Sequence, residues 1–466
     1  MYKDKLDQYF NLCRSEFVET ICTLVRINSA KGPALSDMPY GTGPAEALHA
    51  ALQIARCMGF AVQNYNNYIG AVDMGPSPRQ LDILAHLDVV PAGDGWTVTQ
   101  PFVPIERDGC LFGRGVADDK GPAVAALFAM KAINDLDIPL RKGVRLLLGT
   151  DEECGGSDIE YYYAREDEAP MTFSPDAWFP LIYIEKGGLG GYFHGKWAQT
   201  SCASRLVSLD SGEKGNMVPG EANLVLAGFD SDAVEQIAAA CAASTNTAIT
   251  VESKNNDLSI RVTGIGAHGS MPEKGVNSLT AALKLVNMLP GCDDSGIKML
   301  RGLYEVFPHG DWLGRSAGVA MEDEAGPLTI SLNVLHCGDG KLDGVFDCRT
   351  PLGATNENVR DVLKDRLRSA EIILEDRPLS PPHYVPRESQ FVQTLLKRYR
   401  QYTGDSSEPI AIGGGTYVHG LKNGVAFGCA VAEVDNKMHG ADEFAIVDQL
   451  LLSAKIFAQV IIDLCG

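Results

Sequence analysis

Acidic and imidazole side chains follow several apolar runs of this 466-residue chain, and this pattern constrains its fold more than any other feature. The apolar runs are typical of buried strands, so the polar residues are expected at strand ends. Carboxylates and imidazoles without a thiolate suit a site for two divalent ions and an activated water. The set predicts a metal-dependent hydrolase. Its members are His86, Asp88, Asp118, Glu152, Glu153, Asp176 and His439.

The segment LDILAHLDVV predicts a strand that ends at a metal ligand. Residues two apart on a strand share a face, so the Asp88 carboxylate can reach the ring of His86. It would then hold one ring nitrogen as an N–H donor and leave the other nitrogen for a metal. For one H-x-D in isolation, a strand-end pair that only hydrogen-bonds internally is the more common outcome.

The segment VRLLLGTDEECGG repeats this arrangement, with three consecutive acids after a buried strand. Their mutual repulsion needs cations or protons to offset it. Because neighbours in an extended segment point in opposite directions, Glu152 and Glu153 are expected to act differently. One would bind metal and the other would take a proton from the attacking water. A solvated acidic turn is the alternative.

Asp118 lies in FGRGVADDKGP, just before the Ala-rich segment GPAVAALFAMKAINDL, which predicts a helix packed on a sheet. A carboxylate there lies near the positive end of the helix dipole, and its two oxygens could bridge two ions. The segment does not fit a phosphate loop, because neither G-x-x-x-x-G-K-[ST] nor G-x-G-x-x-G is present.

These motifs together resemble the M20 metallopeptidase family, and within it the PepV-type dipeptidases, nearly from end to end. The motifs that follow that family's order are HLDVVPAGDGW, GRGVADDKGP, GTDEECGGSD, SPDAWFPLIYIEKG, AHGSMPEKGVNS, IGGGTY and MHGADE. The resemblance implies two metal ions and favours zinc, although the ligand types alone also suit manganese or cobalt. It implies one ion on His86, Asp118 and Asp176, the other on Asp118, Glu153 and His439, with Glu152 as general base and Asp88 orienting His86.

Composition agrees with a two-domain enzyme. The chain exceeds the roughly 250–300 residues that one core usually supports. A net charge of −20 argues against nucleic acid or an anionic membrane as partner. Twelve cysteines without a C-x-x-C, and an N-terminus without a signal-like segment, predict a cytoplasmic protein with reduced thiols. No apolar stretch approaches the ~20 residues needed to span a membrane.

The element pattern predicts an α/β fold with a discontinuous first domain. Residues 1–186 and 383–466 are expected to form the catalytic domain, with a mixed or mostly parallel sheet flanked by helices. Strands are predicted near 68–74, 81–86, 144–149 and in GCAVAEV, and helices at 388–403 and from 443. The glycine-rich segment 187–195 breaks this pattern. Residues 187–382 predict an inserted α+β lid domain with helical stretches near 231–243 and 356–369.

The resemblance also assigns substrate contacts, mostly in the inserted domain. His268 would stabilise the oxyanion formed at the peptide carbonyl, while Arg349 and Asn216 would hold the substrate's terminal carboxylate. Gly414 in IGGGTY would also line the substrate site. The alternatives are a strand-end His, an Arg paired with Asp347 and a turn Asn.

Val418, His419 and Thr350 depart from the family pattern where substrate should bind, so any difference from the family is expected in specificity and not in catalysis. His419 is either a substrate contact or a helix-surface residue. The expected activity is hydrolysis of dipeptides with a free C-terminal carboxylate, by a functional monomer whose inserted segment serves its own site. An N-acyl amino acid deacylase of the same superfamily and a catalytically silent binding protein are the alternatives.

Overall fold

The computed structural model describes residues 2–199, 202–254 and 257–466. This part of the chain divides into two units. The first comprises Met1–Ile184, His383–Ile410 and Gly415–Gly466, and the second comprises Glu185–Pro382 and Ala411–Gly414. The first border, between residues 184 and 185, lies within two residues of the predicted border at 186/187, and the second lies at 382/383 as predicted. The sequence did not suggest that the short segment Ala411–Gly414 belongs to the second unit.

The first unit is built on a mixed sheet with parallel strands at its centre. The strand Arg79–His86 runs parallel to both of its neighbours, Gly143–Gly149 and Met171–Ser174. Its residues from Leu81 onward are buried, as expected for a strand covered on both faces. The strands in sheet order are Ala61–Tyr65, Ile69–Met74, Gly143–Gly149, Arg79–His86, Met171–Ser174, Gly424–Ala426, Ile182–Glu185 and His383–Tyr384, with Ile410–Ile412 beside Ile182–Glu185.

Helices cover this sheet and a small three-stranded sheet adjoins it. The helix Val447–Cys465 is buried along most of its length and packs on Lys120–Asp135. The small sheet consists of Ile105–Arg107, Cys110–Phe112 and Phe444–Ile446. The helices of this unit are Lys3–Val25, Thr42–Cys57, Lys120–Asp135, Ser157–Tyr163, Gln390–Thr403 and Val447–Cys465. In the described ranges, no helix has the length and apolarity needed to cross a membrane.

Two predictions for the C-terminal part of the chain were wrong. GCAVAEV, residues 428–434, is not a strand; the strand is Gly424–Ala426, and beyond it only Ala430 forms a bridge, with Trp178. Gly428 packs so closely on Ala177 that a Cβ would lie 1.9 Å from that residue's carbonyl oxygen, which favours a turn over a regular strand. The last helix begins at Val447 and not at 443, because residues 444–446 pair with another strand.

The second unit is an antiparallel sheet with helices against it. Its helices are Ser231–Thr245, Ser278–Met288, Ser295–Val306 and Asp361–Arg368, the last preceded by a π-helical turn, Asn356–Arg360. Its main strands in sheet order are Ala248–Lys254, Asp257–Thr263, Glu221–Ala227, Arg205–Ser211, Thr329–Gly338, Lys341–Thr350, Gly187–Lys196 and Ile372–Leu374. Two-stranded pairs are formed by Met217–Val218 with Ala267–His268 and by Glu322–Asp323 with Gly326–Pro327.

Two helices and several strands of this unit were not predicted from the sequence, among them the strand formed by the glycine-rich segment. Asn277 and Asp294 cap the missed helices Ser278–Met288 and Ser295–Val306 by accepting backbone N–H groups. The glycine-rich segment Gly187–Lys196 is a ten-residue strand. Its glycines fit the sheet because Gly191 lies opposite Phe346, whose ring occupies the space that a side chain at Gly191 would fill.

Candidate metal centre

The predicted ligands come from five separate segments that meet at one edge of the first unit's sheet. His86 is the last residue of its strand, and Asp176 follows the neighbouring parallel strand. Asp118 precedes the helix Lys120–Asp135, and Glu153 lies in a single 3₁₀ turn, Glu152–Cys154. His439 comes from a loop near the C-terminus. Parallel strands bring their carboxyl ends to the same edge, which explains the convergence.

Two groups of three side chains share Asp118. In the first group, His86 Nε2 lies 3.1 Å from Asp118 Oδ1 and 3.4 Å from Asp176 Oδ2. In the second, His439 Nε2 lies 2.9 Å from Asp118 Oδ2 and 3.3 Å from Glu153 Oε2. The three ligand atoms of each group lie within 4.8 Å of one another. Asp118 therefore presents one oxygen to each group.

The donor set fits two divalent cations. His86 Nε2 and Glu153 Oε1 are buried, and neither has a hydrogen-bond partner within the described part of the chain. Burial lowers the pKa of His86, but the carboxylates of Asp118 and Asp176 outweigh burial and raise that pKa well above its ordinary value. Oxygen and imidazole ligands without thiolate suit Zn²⁺, Mn²⁺ or Co²⁺. A cation in each group would also offset the crowded negative charge.

Glu152 lies beside the ligands without belonging to either group. Burial raises the pKa of its carboxyl group to about 8, and the carboxylates of Asp176, Glu153 and Asp118 add to this, against a lowering by His86. The expectation that residues 152 and 153 are extended was wrong, because they form a 3₁₀ turn. Successive side chains in such a turn are about 120° apart, so the two carboxylates still point in different directions.

Asp88 contacts His86 differently from the expected arrangement. The backbone carbonyl oxygen of Asp88 lies 3.0 Å from His86 Nδ1, whereas its carboxylate Oδ1 lies 3.4 Å away. The Asp88 carboxylate accepts the backbone N–H groups of Glu152 and Glu153 at 3.2 and 3.1 Å. Asp88 therefore fixes the acid-bearing turn with its side chain and the ring of His86 with its main chain.

The other predicted residues lie in the second unit. Arg349 donates two hydrogen bonds to Asp347, both of 2.9 Å, and one of 2.8 Å to the carbonyl of Gly413. The anticipated pairing with Asp347 is thus present. Asp347 and Gly413 together accept three of the five guanidinium N–H groups of Arg349. One N–H on each terminal nitrogen is left for a further acceptor. Gly414 borders open space, since a Cβ built there meets nothing within 4 Å.

His268 and Asn216 are exposed neighbours on this unit. The strand residue Met217, next to Asn216, pairs with His268. The backbone carbonyl of Asn216 accepts the N–H of Gly269 at 2.7 Å. His419, by contrast, belongs to the first unit and lies in a turn, not on a helix, with its ring centroid 5.9 Å from that of His383.

Comparison with known proteins identifies the family. The sequence model of peptidase family M20/M25/M40 matches residues 83–463. The chain belongs to this family. The β-Ala-Xaa dipeptidase of Lactobacillus delbrueckii subsp. lactis is 33% identical over 450 residues, which cover 95% of this chain and 94% of that protein. This M20 peptidase is therefore a hydrolase of peptide bonds, and the resemblance read from its motifs is confirmed.

Solved structures share the fold. The aminoacylhistidine dipeptidase from Vibrio alginolyticus superposes with a TM-score of 0.59 at 14% identity, covering 95% of this chain and 96% of that one. The di-peptidase Dug1p from Saccharomyces cerevisiae gives a TM-score of 0.58 at 14% identity, covering 99% and 98%. The predicted α/β class with an additional lid domain is confirmed by this likeness.

The structure of this M20 peptidase adds a supporting carboxylate that the sequence reasoning missed. Glu443 is buried and accepts the backbone N–H groups of Gly115, Ala117 and Asp118, while Arg114 pairs with it at 2.7 Å. It thereby fixes the loop that carries Asp118. Its place in MHGADE, four residues after His439, was the available signal.

A second missed pair supports the acid-bearing turn. Asp158 accepts the N–H groups of Thr150 and Asp151 at 2.6 and 2.9 Å, and the buried hydroxyl of Tyr417 donates to the same carboxylate. The Tyr417 ring also meets His86 edge to face, with centroids 6.1 Å apart. Gly149 makes room for Tyr417, because a Cβ there would lie 1.9 Å from its hydroxyl oxygen. No local pattern links these three positions.

Proposed function

We propose that this M20 peptidase is a dipeptidase that hydrolyses dipeptides with a free C-terminal carboxylate. The observation that carries the proposal is the pair of ligand groups sharing Asp118, with the carboxylate of Glu152 beside them. The Lactobacillus relative, which matches nearly the whole chain, is named for dipeptides with β-alanine at the N-terminus. That name supports a dipeptide substrate for this chain.

Two divalent ions would be held by His86, Asp118 and Asp176 and by Asp118, Glu153 and His439. Ions at such sites polarise a substrate carbonyl and make a bound water more acidic. We propose Zn²⁺ by the family resemblance, since the nitrogen and oxygen donors by themselves also suit Mn²⁺ or Co²⁺. Metal identity is tested by the add-back experiment below.

Glu152 would act as general base and then as general acid. Its carboxylate takes a proton from the attacking water and returns it to the leaving amine. Asp88 supports this role, because it fixes the turn that carries Glu152 through two backbone hydrogen bonds. Tyr417 and Asp158 hold the residues immediately before that turn.

Substrate recognition would use the second unit. His268 donates a hydrogen bond to the oxyanion that forms on the scissile carbonyl. The two remaining N–H groups of Arg349 bind the terminal carboxylate, with Asn216 and Gly414 lining the same subsite. Binding both the scissile carbonyl and the nearby C-terminus would favour a short substrate.

The test compares dipeptides with N-acetyl amino acids after chelation and after adding back Zn²⁺, Mn²⁺ or Co²⁺ singly. We expect no turnover after chelation, and dipeptide hydrolysis restored most strongly by Zn²⁺. Preferred hydrolysis of N-acetyl amino acids would indicate the deacylase, and no hydrolysis of either class with any metal would indicate a silent binding protein. We further propose a functional monomer in the cytoplasm, as expected from the inserted segment and the cysteine pattern.

A further inference from the structure

A tight turn fixes the imidazole ring of His268. The N–H of Met271 donates to the carbonyl of His268 at 2.9 Å and closes a four-residue β-turn. Inside this turn, the N–H of Ser270 donates to His268 Nδ1 at 3.2 Å, and the Ser270 hydroxyl oxygen lies 2.7 Å from the same nitrogen. The first side chain of the turn thus accepts the N–H of the third residue, as an Asn or Asp side chain does in an Asx-turn.

The backbone N–H of Ser270, a fixed donor to Nδ1, constrains where the ring carries its proton. A neutral imidazole has one N–H nitrogen and one acceptor nitrogen, while imidazolium has N–H on both. Because the backbone N–H of Ser270 points at Nδ1, a proton on Nδ1 would face another N–H. The favoured form is neutral, with the proton on Nε2 and with the Ser270 hydroxyl donating to Nδ1.

The surroundings of the turn leave little freedom to rearrange. A Cβ on Gly269 would lie 2.5 Å from Asp347 Oδ2, and one on Gly413 would lie 3.0 Å from the Cβ of Ser270. The charged groups that face the ring are Arg349 and Asp347. Burial and the Arg349 guanidinium lower the pKa of His268 against an opposing effect of Asp347, so the surroundings also favour the neutral ring.

We propose that Ser270 is a positioning residue that keeps His268 neutral, with Nε2–H as the free donor. This inference rests on the proposed function, in which that N–H meets the oxyanion. A neutral donor of fixed direction needs no reorientation when negative charge develops on the substrate oxygen. Because the donated proton belongs to the neutral ring, the activity of the enzyme does not depend on an imidazolium proton that would be released within the working pH range.

The first test reads the tautomer directly by NMR of ¹⁵N-histidine-labelled protein. The chain has 9 histidines, and the signals missing from His268→Ala identify those of His268. In the wild-type protein at neutral pH we expect Nε2 to be protonated and Nδ1 to have the shift of an acceptor nitrogen. Protonation on Nδ1, or on both nitrogens, would overturn the proposal whatever the activity of the enzyme.

The second test separates Ser270 from the backbone of the turn. Ser270→Ala removes the hydroxyl that contacts Nδ1 but keeps the backbone N–H of residue 270, so the Nδ1 signal of His268 should shift while Nε2 stays protonated. We expect kcat to fall about three- to tenfold with little change in KM, and Ser270→Thr to restore both the Nδ1 shift and kcat. Ser204→Ala is the matched control, because its hydroxyl bonds to the Gly228 carbonyl elsewhere in the same unit.

An unchanged Nδ1 shift and unchanged kcat in Ser270→Ala would remove Ser270 from the proposal. The proposed function fails differently. Full activity of His268→Ala would overturn the oxyanion role of His268, even if the NMR spectrum shows the expected tautomer.

Discussion

Replacing Arg349 by Met should weaken hydrolysis of free-acid dipeptides far more than that of dipeptide amides. Two N–H groups of Arg349 remain after its bonds to Asp347 and Gly413, and a carboxylate bound to them makes charge-assisted hydrogen bonds. Such bonds contribute roughly 1.5–3 kcal/mol. At about 1.4 kcal/mol per factor of ten, kcat/KM for the free acid should fall about 10- to 150-fold, mainly through KM.

The amide substrate corrects for structural damage in the same variant. Met leaves Asp347 without its guanidinium partner, and this defect affects both substrates equally. The decisive quantity is therefore the ratio of kcat/KM for a dipeptide and its amide, measured in wild-type protein and in Arg349→Met. Arg261→Met is a matched control, because this exposed arginine of the same unit pairs only at long range with Glu221, at 3.7 Å. An unchanged ratio in Arg349→Met would refute the carboxylate subsite.

Four further outcomes are expected. Glu152→Gln should retain metal and fold but lose most turnover, since an amide cannot accept the water's proton; near-native kcat with full metal content would exclude it as base. His268→Ala should lower kcat about 100- to 1000-fold with both metals retained, and mixing it with Glu152→Gln should restore nothing if the monomer is functional. Tyr417→Phe should weaken metal retention about tenfold in chelator competition, with Tyr9→Phe, which loses a bond to surface Asp135, as control. Burial raises the pKa of Asp82 to about 7, while neighbouring guanidinium groups lower it. Wild-type stability should therefore fall as pH rises from about 4 towards 7, because the unfolded chain releases this proton while the folded chain retains it. Over that window the Tm of Asp82→Asn should rise relative to that of the wild type, and a pH-independent Tm difference would contradict this.

The ligand positions could be anticipated because each is readable within a short segment. An apolar run that ends in a polar residue specifies a strand end, and parallel pairing then brings such ends together. His86 lies opposite Gly149 in the register of the two central strands. Gly149 comes only a few residues before Glu153 in the sequence. Local pattern and one rule of sheet geometry therefore bring His86 close to the acidic turn, whereas the grouping of Asp118 and His439 with them came from the family resemblance.

Contacts that depend on competition between partners could not be anticipated in this way. The sequence pattern places Asp88 near His86, but it cannot decide whether the carbonyl or the carboxylate of Asp88 meets the ring. Tyr417 and Asp158 are 259 residues apart, and nothing in either segment specifies the other. The two missed helices of the second unit are a different case, because their caps at Asn277 and Asp294 were readable in the sequence but the segments that follow were left unassigned.

The C-terminal loop connects assembly of the metal centre to folding of the whole first unit. It supplies His439 to the second ligand group, and Glu443 of the same loop accepts the N–H of Asp118 across 325 residues of sequence. One loop therefore both contributes a proposed ligand and fixes the carboxylate shared by the two groups. Because neither can be in place before this loop docks, tight metal binding requires a completed first unit. Metal affinity should thus report on the docking of the C-terminal segment as well as on the ligands themselves.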